Sequence, residues 1–205
     1  MIRQQWTLLR QSWRSGFAAA FARTAWAFAI LTAAGFAVTW FAPSIADQAL
    51  SLFMDMLEQK EIVSDTGVIS AAALLRSNIS ACFLTVCYGC IPFLYLPALT
   101  LGANAMLLGI TAARCLQSGY SIAAFLAALL PHGIFEIPAL LVTIAVGLEL
   151  CRDLSGRLRR RKGLAAFPQY LADGSRLFLF PVLPLLAVAA LMEAYVTPWA
   201  AALFF

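Results

Sequence analysis

The chain has 205 residues, of which 62% are hydrophobic and only 12% charged, with a mean hydropathy of +0.85. A soluble domain carries about 45–50% apolar and about 25% charged residues, so a water-soluble fold would leave much of this surface with nowhere to bury. The net charge of +4 and the pI near 9.0 come from separate blocks of like charge, a distribution that argues against a nucleic-acid-binding surface.

Residues 1–19 are polar and basic, with Arg3, Arg10 and Arg14. The first apolar run, about 20–42, is interrupted only by Arg23 and closed by Pro43. It is longer than the roughly 7–15 residues of a signal-peptide core, so a retained first transmembrane helix is expected rather than a cleaved leader. In 44–72, Leu50, Phe53, Met54 and Leu57 keep helical spacing while Asp47, Asp55, Glu58 and Glu61 fall largely on other faces. This spacing predicts an external amphipathic helix at the interface.

The next apolar stretch is too long for one crossing of ~20 residues. Pro92 and Pro97 divide it into spans at about 75–95 and 98–113, the latter with Ala105 and Gly109 on a small face for close packing. Residues 121–150 carry Pro131-His132-Gly133, and the proline predicts an interruption near 131: a short helix, then a longer one. A basic segment fills 151–176, and the last span is expected at about 177–197, before Pro198.

Seven of the fourteen Lys/Arg lie between Arg152 and Arg176, three precede residue 20, and five of the ten acids lie between Asp47 and Asp65. By the positive-inside rule the N-terminus and the 151–176 segment are cytoplasmic and 44–72 is external. Five spans satisfy both, leaving the C-terminus external. The expected architecture is thus an all-α, multi-pass integral membrane bundle, a single domain over 1–205 in the cell membrane.

Ionisable groups at membrane depth cost about 2.5–3.5 kcal/mol on insertion scales, so each needs a reason. His132 and Glu136 are four apart and share a helical face, which Thr143 and Gly147 continue. With Glu193, Asn78 and Asn104 they form an expected intramembrane polar cluster toward the external side, with Arg76 and Arg114 as candidate ion-pair partners. Three readings of that cluster compete: a structural network that fixes helix register, a proton or ion relay, and two ligands of a metal. The third lacks a further ligand and a base, and His132 is the sole histidine, so neither a metal nor a cofactor is expected. The five cysteines, including the C-x-x-C pair Cys87 and Cys90, sit in apolar runs and read as small helix residues. Nucleotide-binding and serine-hydrolase motifs are missing from the sequence.

Leu130-Pro131-His132-Gly133-Ile134-Phe135-Glu136-Ile137-Pro138-Ala139, followed by Gly147-Leu148, resembles the signature of the stage II sporulation protein M family. The resemblance extends to Leu191-Met192-Glu193-Ala194-Tyr195-Val196-Thr197-Pro198 and, more weakly, to Ser77-Asn78 and Gly102 through Gly109, covering roughly residues 20 to 200. The family often has Asn-Gly where this chain has Asn104-Ala105. The resemblance implies a polytopic protein without established enzymatic activity. The family's namesake acts in forespore engulfment, within a membrane complex whose peptidoglycan-degrading partners it helps localise. The expected function is therefore a non-enzymatic scaffold that positions other membrane proteins, in contact with the lipid bilayer and not with nucleic acid. A homo-oligomer is compatible with it. A proton- or ion-linked transport component using His132, Glu136 and Glu193 is the alternative.

Overall fold

The computed structural model describes residues 2–44, 47, 48, 50, 51, 70–161 and 167–204. Among these residues all regular elements are helical, and five helices are long and apolar enough to cross a bilayer. Helix α1 (Ile2–Ser12) joins α2 (Ala18–Phe41) through a kink at Gly16, whose φ of 128° suits glycine alone. Helices α3 (Ala71–Gly89), α4 (Pro97–Gln117) and α5 (Ile122–Arg159) follow. The last, α6 (Phe167–Ala201), contains π-helical turns at Phe178–Val182 and Met192–Val196. The amphipathic segment expected over 44–72 lies largely outside the described residues.

Local chemistry sets the helix starts. Ser70 Oγ accepts from the Ala73 N–H at 3.2 Å, and Ser121 Oγ accepts from the Ala124 N–H at 3.2 Å, each capping a helix whose first amides have no intrahelical acceptor. Pro97 opens α4, where its missing N–H costs nothing.

The interruption expected at Pro131 is absent. α5 runs unbroken for 38 residues with Pro131 and Pro138 inside it. An interior proline costs about 3 kcal/mol, whereas a break would leave several N–H and C=O groups facing hydrocarbon at several kcal/mol each. Continuity is cheaper in lipid, although the sequence rule for soluble helices favours a stop. In α6 the prolines leave a different mark. Pro198 cannot donate to the Ala194 carbonyl, and the Thr197 N–H reaches back to Met192 O, widening the helix by one residue per turn.

α5 is the axis of the bundle. In its most apolar window 56% of residues are buried, against 17–28% in the other four spanning helices. One core joins Ala139, Val142, Val146 and Leu150 of α5 to Cys82 of α3 and Val182 and Leu186 of α6. A second joins Leu141 and Ile144 to Phe28 of α2 and to Leu101 and Ala105 of α4. α2 packs most extensively on α4, where backbone meets backbone. A Cβ on Gly35 would lie 2.5 Å from Met106 O, and one on Gly109 would lie 2.6 Å from Phe36 N. Ala105 is fully buried beside it, so the small face expected on α4 is where α2 docks.

The two basic parts of the chain share one end of the bundle. Arg176 Nε donates to Gln5 Oε1 at 3.1 Å, and the Trp6 and Phe180 rings lie 5.9 Å apart, fixing α1 against the start of α6. The α3–α4 connection at this end holds Phe93 and Tyr95 at φ 68° and 46°. The Phe93 N–H donates to Ser155 Oγ of α5 at 2.7 Å, and Cys151 Sγ donates to Ile91 O at 3.3 Å.

Candidate functional site

His132 and Glu136 project from one face of α5, as their spacing requires, and Glu193 approaches from the π-helical turn of α6. One donor atom from each of the three lies within 4.8 Å of the others, and all three side chains are half-buried. Thr197, one turn beyond Glu193, holds the imidazole: its Oγ1 lies 3.1 Å from His132 Nδ1. The same face of α5 then turns fully inward, with Thr143 donating to Ala139 O at 2.8 Å and Gly147 pressed against the backbone of α3 and the ring of Pro97.

The depth of the cluster follows from its distance to a charged boundary. Glu149 accepts from Arg23 at 3.2 Å and from Arg152 at 2.5 Å, at the basic end. Counting 1.5 Å per residue from Glu149, Glu136 lies ~20 Å and His132 ~26 Å further along α5; with Glu149 at the boundary of a hydrocarbon core of about 30 Å, both fall in the half away from the basic end.

The remaining expected members are distributed differently. Asn78 belongs to the same side of the bundle: it sits one turn from Cys82 on α3, and Cys82 neighbours Thr143 and Glu136. Its Nδ2 is buried without a hydrogen-bond partner among the described residues. Asn104 does not join the cluster. It is exposed on α4, where its Nδ2 donates to Thr100 O of its own helix at 2.8 Å.

Arg114 is not a partner of the cluster either. It pairs with Asp47 and donates to Pro43 O at 2.9 Å and to Gln117 Oε1 at 3.0 Å, fastening the end of α4 to the chain that leaves α2. Arg76 is exposed on α3. The ion pairing expected inside the layer is thus replaced, for Arg114, by pairing at the end of α4 with the mostly exposed carboxylate of Asp47.

Sequence reasoning missed Thr197 as the His132 partner and Arg23 as the partner of Glu149. Spacing within one helix gives no access to contacts between helices far apart in sequence. The Thr197-Pro198 pair next to Glu193 was the available signal.

Chemically the cluster offers one imidazole and two carboxylates, a set able to link two helices, to exchange protons or to hold a cation. A family model, stage II sporulation protein M, matches residues 24–198. An uncharacterized protein of Methanocaldococcus jannaschii is 27% identical over 126 residues, covering 62% of this chain and 70% of that protein. No solved structure matches. His132, Glu136, Glu193 and Thr197 all lie within the matched residues, and the chain belongs to the stage II sporulation protein M family.

Proposed function

We propose that this integral membrane protein is a non-enzymatic subunit that positions partner proteins in the cell membrane, with its basic end cytoplasmic and its C-terminus external. Asn104 carries the reading. It stands near the middle of α4 on the outward face, beside the exposed Ala103, which lies one turn from Leu99, itself 70% exposed. The Asn104 Nδ2 donates to Thr100 O of its own helix, which leaves the exposed amide its oxygen to offer a neighbouring helix, and small and polar residues are what helix–helix contacts in membranes use. The low burial of every spanning helix except α5 leaves wide faces for such contacts. By family resemblance the partners include peptidoglycan-degrading proteins.

The transport alternative rests on His132, Glu136 and Glu193, and a broken fourth span, whose half-helix ends would face a substrate, would have added to it. α5 is continuous, which removes that addition.

Co-purification from native membranes with quantitative mass spectrometry tests the proposal. Asn104→Leu is expected to lower recovery of specific membrane partners several-fold while the purified chain keeps its thermal midpoint. Unchanged recovery with Asn104→Leu, or ion flux in proteoliposomes that Glu136→Gln abolishes, would overturn it. For orientation, a cysteine placed at Tyr120 in a cysteine-free background should react with an impermeant reagent from the external side only.

A further inference from the structure

The described residues bring together three classical metal-ligand side chains from two helices, at a depth where bare charge is expensive. We propose that His132, Glu136 and Glu193 form a zinc-class divalent-cation site that clasps α5 to α6 within the bilayer.

Three features of the geometry support it. Donor atoms within 4.8 Å of one another need only modest closure, because a tetrahedral ion with bonds of ~2.0–2.2 Å holds its ligands ~3.4 Å apart. Thr197 Oγ1 gives the His132 ring the support that metal-bound imidazoles use: in the tautomer with Nδ1 protonated, Nδ1 donates to Thr197 Oγ1 and the Nε2 lone pair is left for an ion. Glu193 sits in a π-helical turn, a local widening that recurs at functional sites, and its carboxylate lies within 4.8 Å of the donor atoms on α5.

The charge balance points the same way. Two carboxylates and a neutral imidazole match the charge of one divalent ion, so a filled site is close to neutral in a medium that penalises net charge. Mixed imidazole and carboxylate donors suit zinc and its first-row neighbours; calcium and magnesium prefer all-oxygen shells with six or more ligands. Three protein ligands leave the fourth position open, for water or for a donor group of a partner.

The site is independent of the scaffolding proposal. A chain that binds the ion without recruiting partners, or recruits partners without the ion, would separate the two.

The test uses the full-length protein purified in detergent, stripped with chelator and titrated with zinc chloride against a chromophoric competitor. Cobalt(II) serves as an optical substitute. One equivalent per chain is expected, with visible cobalt bands of nitrogen and oxygen ligation. Glu193→Gln and His132→Asn should each weaken binding at least tenfold, and Thr197→Val about tenfold through loss of ring support. Because those variants risk misfolding, failure of the wild-type protein to bind either ion is decisive without them. Absence of saturable zinc or cobalt binding, a thiolate charge-transfer band placing cobalt on the cysteines, or binding unchanged by Glu193→Gln would each overturn the proposal.

Discussion

His132 on α5 and Thr197 on α6 meet at 3.1 Å, a hydrogen-bond contact between two spanning helices far apart in the chain. In water such a contact would compete with solvent; at membrane depth the imidazole has few other partners. Thr197→Val keeps the shape and removes the hydroxyl, and should lower stability by about 1 kcal/mol, in the range of interhelical hydrogen bonds in membranes. Thr197→Ser should restore most of it. Thermal unfolding of both variants in detergent checks this, and equal midpoints for valine and serine would show that the hydroxyl is idle.

The α2–α4 seam makes a paired prediction. A methyl group on Gly109 would collide with the backbone of α2, including Phe36 N at 2.6 Å, while one on Gly102 would meet open space. Gly109→Ala should destabilise by about 1–3 kcal/mol, as overpacking does. Gly102→Ala should be neutral or stabilising, since alanine restricts the unfolded chain. Comparing the two melting curves tests the seam with the same chemical change at both sites.

At the basic end Ser155 carries a contact that helix α5 makes with a strained connection. Its Oγ accepts the Phe93 N–H at 2.7 Å, and Phe93 itself has φ 68°. Ser155→Ala should cost about 1–3 kcal/mol by orphaning that amide. Phe93→Gly should ease the backbone by about 1 kcal/mol, less the packing lost with the ring. Hydrogen exchange of the 90–96 connection should accelerate in the first variant; unchanged protection would show that Ser155 does not hold it.

Arg114 and Asp47 tie the end of α4 to the chain beyond α2. Asp47 is mostly exposed, so solvent screens the pair and Asp47→Asn should cost no more than about 1 kcal/mol. Arg114→Leu should cost more, because the bonds to Pro43 O and Gln117 go with it. The ordering of the two variants in thermal stability is the check, and the reverse ordering would contradict it.

Hydropathy made the five crossings legible because the bilayer demands ~20 apolar residues whatever the fold. The His132–Glu136 face was legible for a similar reason: a polar stripe on a spanning helix has to point inward. Pro131 misled because its usual meaning belongs to helices in water, where a broken backbone finds solvent partners. Asn104 and Arg114 were expected in the cluster from depth alone, but depth does not fix the rotation of α4. That rotation is set by Ala105 and Gly109 docking on α2, which turns Asn104 outward. Thr197 and the Glu149–Arg23 pair stayed hidden because each joins helices whose adjacency only the packed bundle reveals.

The central claim is that Glu136 and Glu193, on different helices, act as one unit inside the membrane. A double-mutant cycle of Glu136→Gln and Glu193→Gln, read as unfolding free energy of the purified protein, tests it most directly. Coupling of at least about 1 kcal/mol is predicted, well above the ~0.3–0.5 kcal/mol scatter of independent sites. Strict additivity within that scatter would mean that the two carboxylates do not share a site, and would contradict the account.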